Sequence, residues 1–447
     1  MTFTALRRGV PGAVSASVDH LAGRPVVLVR AHGADRRGAL DRDSGATLAA
    51  AAELAARSRL PLVAVMAAGG AAVHDGVAAL HGWGTAARAV GSCSGVVPIL
   101  AAVTGPSVGG PALLLGMADV VVVAEAASAY MVGPAAVASY TGEEVTVAGL
   151  GGPGVHRTRT GLAAGVVADE AGALDLLGAV LAHLPPHCDA EPPFWPTSDP
   201  VDRPMPEAGE ILPPNPTGSY DVRDVATAVV DEGGLLELWE GWAPNLVTAL
   251  ATVGGQPVGV VANQPLALAG TIDVPASQKG ARFVNLCDAF NVPLLTLVDT
   301  PGFFPGRDQE WRGMIRYGAQ LVGAYARATV PRVCVVVRKA YGGAYIVMDS
   351  KAMGNDVCLA WPTAELAVMG ARQAAEVLHR RDGPEARAAK EAEYAATLLT
   401  PWTAAERGYV DAVIDPAETR SFVAAALQML RPKRERLPRR AHDNLPL

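Results

Sequence analysis

Short apolar runs rich in Val, Leu and Ile recur along the chain, and each opens on a proline. They read Pro25-Val-Val-Leu-Val, Pro61-Leu-Val-Ala-Val and Pro98-Ile-Leu-Ala-Ala-Val, then Pro257-Val-Gly-Val-Val, Pro293-Leu-Leu-Thr-Leu-Val and Pro331-Arg-Val-Cys-Val-Val-Val. Runs of about four to eight such residues have strand length, and continuous apolarity suits strands covered on both faces. A proline at the first strand position is tolerated because its missing N–H lies outside the ladder. Between the runs lie stretches of helical period, such as 46–56 and 277–290. Strands alternating with helices predict an α/β fold with a parallel or mixed sheet under helical cover.

The pattern occurs twice. Pro25 and Pro257 are 232 residues apart, as are Pro61 and Pro293. Pro98 and Pro331 are 233 apart, as are Gly109 and Gly342; Asp119 and Asp356, like Gly133 and Gly370, are 237 apart. Six ordered matches at a nearly constant offset indicate a duplicated unit, with one insertion of four residues absorbing the last change. Between the copies, 184–217 is proline-rich and without helix or strand period, so it reads as an extended linker. The expected organisation is an N-terminal domain at 1–183, a linker at 184–217 and a C-terminal domain at 218–447.

Composition narrows the class. Of 447 residues 50% are hydrophobic but only 5% aromatic, so the core should pack by close backbone approach rather than aromatic bulk. A net charge of -7 speaks against a nucleic-acid or anionic-membrane surface. The basic run from Arg431 to Arg440 is the exception and reads as a solvated or assembly-docking arm. Cys93, Cys188, Cys287, Cys334 and Cys358 are odd in number and scattered, with no C-x-x-C. Neither a disulfide framework nor a metal site follows, and a reducing cytoplasm is the expected location. No apolar run approaches the ~20 residues that span a bilayer, and no membrane role is expected.

The chemistry-bearing pattern is glycine. The third strand of each half runs into Gly109-Gly110 or Gly342-Gly343, followed by helix-compatible residues. Such a turn either packs strand tightly against helix or leaves backbone N–H donors at a helix start, where an oxyanion can be held. The second strands run into Gly69-Gly70-Ala71 and Gly302-Phe303, at the sheet end where open α/β folds place ligands. Other signatures fail. In Gly149-Leu-Gly151-Gly-Pro-Gly154, Pro153 and the following His-Arg-Thr-Arg-Thr-Gly make a poor helix start, and Cys93 between Gly91 and Gly95 precedes a strand instead of ending one, so neither a dinucleotide loop nor a nucleophile elbow is expected.

Three long stretches of the second half carry a resemblance: 303–310 (Phe-Phe-Pro-Gly-Arg-Asp-Gln-Glu), 329–345 ending Arg-Lys-Ala-Tyr-Gly-Gly-Ala-Tyr, and 359–370 (Leu-Ala-Trp-Pro-Thr-Ala-Glu-Leu-Ala-Val-Met-Gly). With 403–414 and the terminal Asp443-Asn-Leu-Pro-Leu, they resemble the carboxyltransferase (β) subunit of biotin-dependent acyl-CoA carboxylases. The resemblance implies two crotonase-like β-β-α halves assembled as a homo-hexamer. It implies a CoA thioester on the first half, carboxybiotin on the second, and a site between the first half of one subunit and the second half of another. Biotin would arrive on a partner chain with biotin carboxylase and carrier domains, since this chain has no Met-Lys-Met attachment site. Gly109 and Gly110 would hold the thioester oxygen, and Gly343 and Ala344 the ureido oxygen of biotin. Gly69, Gly70, Ala71, Tyr345 and Ile346 would line the substrate side, and Gly342, Gly302 and Phe303 the biotin side. Ile346 would bias acyl length towards propionyl or butyryl. The family's Asp-Ser-Gly-Gly-Ala-Arg loop reads Ala67-Ala68-Gly69-Gly70-Ala71-Ala72 here, Pro111 follows Gly110, and only 22 residues precede Gly23. Two other activities stay open at this point: a biotin-independent (methyl)malonyl- or carrier-protein-thioester decarboxylase on the same scaffold, and a non-catalytic assembly subunit.

Overall fold

The computed structural model describes residues 13–31, 38–439 and 444. The chain divides into two compact units. The first holds residues up to Pro193 with 239–242 and 289–291, and the second holds 194–238, 243–288 and 292–447.

In the first unit β1 (Val14–Leu21) and β2 (Arg24–Ala31) form an antiparallel pair. Parallel β3 (Leu62–Met66), β4 (Ile99–Val103), β6 (Val120–Ala124) and β8 (Gly165–Val167) extend the sheet in the order β1-β2-β3-β4-β6-β8, while β5 (Pro106–Val108) and β7 (Ser128–Tyr130) pair apart from it. The helix Arg42–Ser58 is started by the Asp41 carboxylate, which accepts from the Ser44 N–H at 2.7 Å. Its Leu48, Ala51, Ala52 and Ala55 bury against Val27, Val29, Leu62 and Ile99. It crosses the helix Val77–Gly91 at Gly45 and Gly82, where a Cβ on Gly45 would lie 2.2 Å from the Gly82 backbone. That contact is the close backbone approach expected of a Gly- and Ala-rich, aromatic-poor chain.

The second unit repeats the plan. Its strands are β9 (Leu236–Glu237), β10 (Leu246–Val253), β11 (Gln256–Asn263), β12 (Leu294–Thr300), β13 (Arg332–Tyr341), β14 (Val357–Ala360), β15 (Glu365–Ala367) and β16 (Ala412–Val413). They are ordered β16-β14-β13-β12-β11-β10-β9, with β15 beside the end of β13. The repeated prolines have one job in both halves. The carbonyls of Pro61 and Pro98 accept from Val27 and Leu62 at 2.9 Å, and those of Pro293 and Pro331 accept from Gly259 and Leu294 at 2.8 and 2.9 Å. The repeated aspartates do likewise: Asp119 accepts from the Ile99 N–H and Asp356 from the Arg332 N–H, both at 2.8 Å. Gly133 and Gly370 each precede a helix, Pro134–Thr141 and Ala371–Leu378.

Within 184–217 the division falls between Pro193 and Phe194. Met205 and Ala208 are fully buried, and the Met205 N–H donates to the Ala417 carbonyl at 2.9 Å. From Phe194 on, a few anchoring residues, one of them on the short helix Ala208–Ile211, fasten the stretch within the second unit, a mode of packing that leaves no periodic pattern. At the base of the basic run, Lys433 pairs with Asp356 at 3.0 Å. Among the described residues no helix is long and apolar enough to cross a membrane.

Candidate functional site

Each unit builds a small donor cradle where the loop after its second parallel-side strand meets the Gly-Gly turn. In the first unit the Thr104 N–H donates to Met66 at 3.0 Å and the Val108 N–H to Ala68 at 2.9 Å, which ties the two loops together. Ala71 bridges to Leu40: the Leu40 N–H donates to Gly70 at 2.8 Å, and the Ala72 N–H donates to Leu40 at 2.9 Å. In that geometry the Ala71 N–H faces away from the bridge. Gly70 and Gly109 stand at φ +99° and +70°, backbone open to glycine at little cost.

Of the two glycines expected to hold an oxyanion in this unit, Gly109 has its N–H engaged. The Gly109 N–H donates to the Tyr130 carbonyl at 3.0 Å because the short strands β5 and β7 pair alongside. The Gly69 N–H is likewise engaged, with Gly38 at 3.1 Å. Pro111 has no N–H. Among the described residues the N–H groups of Gly70 and Ala71 on one loop and of Gly110 on the other are left unpaired. Trp83 lies behind Gly110, where a Cβ would meet two ring carbons at 2.8 Å.

The second unit carries the equivalent cradle at the same offsets. Ile272 bridges to Phe303, the Ile272 N–H donating to Gly302 at 3.1 Å and the Phe304 N–H to Ile272 at 2.9 Å. This leaves the Phe303 N–H unpaired. Gly342 sits at φ +61° and opens the helix Gly342–Val347, whose first-turn N–H groups on Gly343 and Ala344 have no partner among the described residues. The Phe303 ring flanks Gly343, 3.6 Å from where a Cβ would sit. Asp299, at the end of β12, fixes this arrangement. It accepts from the Lys339 N–H and from Arg338 Nε, both at 3.0 Å, so loop and turn share one buried carboxylate. Burial pushes that carboxyl upward, and the Arg338 charge opposes the push.

Beside Gly342 and Gly343 opens a cavity of about 580 Å³, walled by Tyr345, Ile346, Tyr394, Leu398, Arg407 and Tyr409 among others. Ile346 is 38% exposed, which makes it wall and not core. Beneath the helix lies a buried polar cluster. Asp349, at φ +58°, pairs with Arg332 at 2.8 Å, and the Asn355 amide donates to its carbonyl at 2.5 Å. Burial raises the Asp349 carboxyl to about 6.

Sequence reasoning missed Trp83 and Asp349, which lie in no motif, and Arg407, which lies within 403–414 but carried no role there; for Asp299 the only signal was its place four residues before Phe303. Cys93 is no nucleophile: it is fully buried, which pushes its thiol up to about 11. His156 is a packing residue whose ring bonds the Ala129 carbonyl at 2.8 Å and Thr160 at 2.9 Å.

Two mixed-sheet α/β units on one plan, each with backbone N–H groups left unpaired beside a Gly-Gly turn, have the architecture of a crotonase-like scaffold. Residues 2–445 match the carboxyl transferase domain, and the chain belongs to that family. It is 44% identical over 429 residues to the propionyl-CoA carboxylase beta chain of Saccharopolyspora erythraea, covering 92% of this chain and 79% of that one. It is 44% identical over 384 residues to the methylmalonyl-CoA carboxyltransferase 12S subunit of Propionibacterium freudenreichii subsp. shermanii, covering 85% and 73%. A crystal structure of transcarboxylase 12S, described as a hexamer assembly with methylmalonyl-CoA and methylmalonic acid bound, superposes with a TM-score of 0.96. It is 40% identical in sequence and covers 97% of this chain and 85% of that one. The chain is an enzyme of carboxyl transfer to acyl-CoA.

Proposed function

We propose that the chain is the carboxyltransferase subunit that moves a carboxyl group from carboxybiotin, borne by a partner polypeptide, to the α carbon of a short acyl-CoA of propionyl or butyryl size. The observation that carries this is the duplicated cradle: two equivalent sites, each with unpaired backbone donors on adjoining loops, suit a reaction in which two oxygens gain charge. The Ala71 and Gly110 N–H groups hold the thioester oxygen as negative charge gathers on it. The Phe303, Gly343 and Ala344 N–H groups hold the ureido oxygen. Fixed donors of this kind need no reorganisation during reaction, and removing one typically costs on the order of 10²–10³ in rate.

Biotin supplies the transferable carboxyl group. The cavity beside Gly342 fits its body, being mostly apolar and large enough at about 580 Å³. Ile346 in that wall shapes the space left to the acyl chain. A homo-hexamer with a biotin carboxylase and carrier partner is the assembly we propose, supported by the hexameric relative.

The test is fixation of labelled bicarbonate into acid-stable product with ATP and propionyl-CoA. The isolated chain should fix none, and should fix label once biotin carboxylase and a biotinylated carrier are added. Product without any biotinylated protein, or none with a partner competent in a control reaction, overturns the assignment.

A further inference from the structure

The cavity beside Gly342 and Gly343 has an unusual charge balance. None of its lining residues is acidic, while two are cationic, Lys351 and Arg407. The Lys351 charge is already answered: its ammonium pairs with Asp411 at 2.6 Å and donates to the Asp356 carbonyl at 3.0 Å. Arg407 follows the short helix Pro401–Glu406 and is exposed to the cavity; among the described residues it has no ion pair or hydrogen bond from its guanidinium. Around it stand apolar and phenolic groups, among them Leu398, Tyr394 and Tyr409. An unanswered guanidinium in a mostly apolar wall selects a ligand with an apolar body and a carboxylate, because a planar fork of N–H donors matches a carboxylate in two parallel hydrogen bonds.

Resting on the function proposed above, we infer that Arg407 is a specificity residue that reads the carboxylate of the incoming carboxybiotin and so distinguishes a loaded carrier from a spent one. Carboxybiotin bears a negative charge that biotin lacks, since biotin's ureido ring is neutral. Once the carboxyl group has moved to the acyl chain, the contact with Arg407 is gone and the spent carrier is held by apolar contact and by the donors of Phe303, Gly343 and Ala344. The same residue thus favours entry of the loaded carrier and release of the unloaded one.

The experiment compares the full-length chain with Arg407→Met and Arg407→Lys. One probe is a biotinylated carrier domain kept carboxylated by added biotin carboxylase, ATP and bicarbonate; the other is the same domain uncarboxylated. Arg407→Met should raise KM for the loaded carrier about 10-fold or more, the lower end for a charge-assisted contact at a partly solvated site. The Kd of the uncarboxylated carrier, read by fluorescence anisotropy, should change less than about 2-fold, and Arg407→Lys should fall between Met and wild type. An unchanged KM for loaded carrier overturns the inference, as does an equal weakening of loaded and unloaded carrier. The function proposed above fails on a different result, namely no carboxyl transfer from loaded carrier by the wild-type chain. Because Arg407 anchors nothing else, both variants should keep the wild-type melting temperature.

Discussion

Gly110 should be the least replaceable residue of the first unit. A Cβ built there lies 2.8 Å from two carbons of the Trp83 ring and 3.1 Å from its nitrogen. An ordinary carbon contact needs about 3.5 Å or more, so ring and turn must part by roughly 0.7 Å. Trp83 stands on the helix Val77–Gly91, and its indole nitrogen is buried without a hydrogen-bond partner. Part of the displacement therefore falls on the turn that carries the Gly110 N–H. Overpacking of this size costs about 1–3 kcal/mol of stability. Moving a catalytic group by something near 1 Å costs on the order of 10² in rate. We expect Gly110→Ala to fold with a lowered melting temperature and to lose about 10- to 100-fold in kcat/KM for acyl-CoA. Adding Trp83→Leu should remove the obstacle and recover at least about 10-fold of that loss. The equivalent change in the second unit, Gly343→Ala, places its methyl 3.6 Å from Phe303 and should leave the melting temperature at or above wild type. Steady-state kinetics and thermal melts on the four proteins decide the matter. A Gly110→Ala enzyme with wild-type kcat/KM, or a double variant no better than the single, would refute the reasoning.

Other perturbations test the second unit. Ala344→Pro removes one N–H in the first helical turn, where proline is tolerated; transfer from carboxybiotin should fall by at least about 10² with an unchanged circular dichroism spectrum, and a near-normal rate would strip Ala344 of its role. Ile346 leaves 38% of itself for a ligand to cover, which is roughly 0.6–1.2 kcal/mol of apolar contact; a charge at that place adds a desolvation cost of about 1–3 kcal/mol. Ile346→Asp should therefore shift the propionyl-to-acetyl ratio of kcat/KM towards acetyl by a factor within about 10–200, and an unshifted ratio would deny Ile346 a part in acyl choice. For Asp349 the native carboxyl, near 6, holds its proton more tightly than the unfolded one at 3.8, so wild-type stability falls as pH rises between those values and levels off above about 6. Asp349→Asn lacks that titration: the gap in melting temperature between wild type and variant should narrow from pH 4 to 6 and stay constant from 6.5 to 8, whereas a gap independent of pH would mean the carboxyl does not titrate in this range.

Duplication was legible in the residues because each repeated position does identical backbone work in both copies. Proline carbonyls join neighbouring strands, Asp119 and Asp356 hold the first amide of the strand that precedes them, and Gly133 and Gly370 precede helices. The donor cradles were legible only in part. Whether a glycine N–H is available depends on what passes beside it, and β5 and β7, at three residues each, are too short to show a period. Their pairing takes the Gly109 amide and leaves Gly110 as the proposed donor of that turn. Trp83 lies against Gly110 and Asp349 against Arg332, partners distant in sequence that no local spacing could mark, whereas Arg407 makes no contact among the described residues whose partner would single it out.

The departure of the first unit from its family can be read against its own second copy. At the 232-residue offset Ala67 stands where the second unit has Asp299, and at the 233-residue offset Gly105 stands where it has Arg338. In the second unit that aspartate and arginine are a buried clamp between loop and turn. In the first, the clamp is replaced by small residues: a Cβ on Gly105 would lie 3.0 Å from the Ala67 Cβ, and the loops are fastened by backbone alone, Thr104 to Met66 and Val108 to Ala68. Exchanging both partners of a buried ion pair for well-packed apolar groups is often neutral, whereas deleting one of them is costly. Loss of the polar groups from 67–72 therefore removes a device that positions the cradle and leaves its donors, Ala71 and Gly110, in place. Against its second copy the first unit lacks both members of the clamp, Gly105 standing at the arginine position, so no arginine is left unanswered opposite Ala67 and the backbone geometry of the cradle does not depend on an ion pair there.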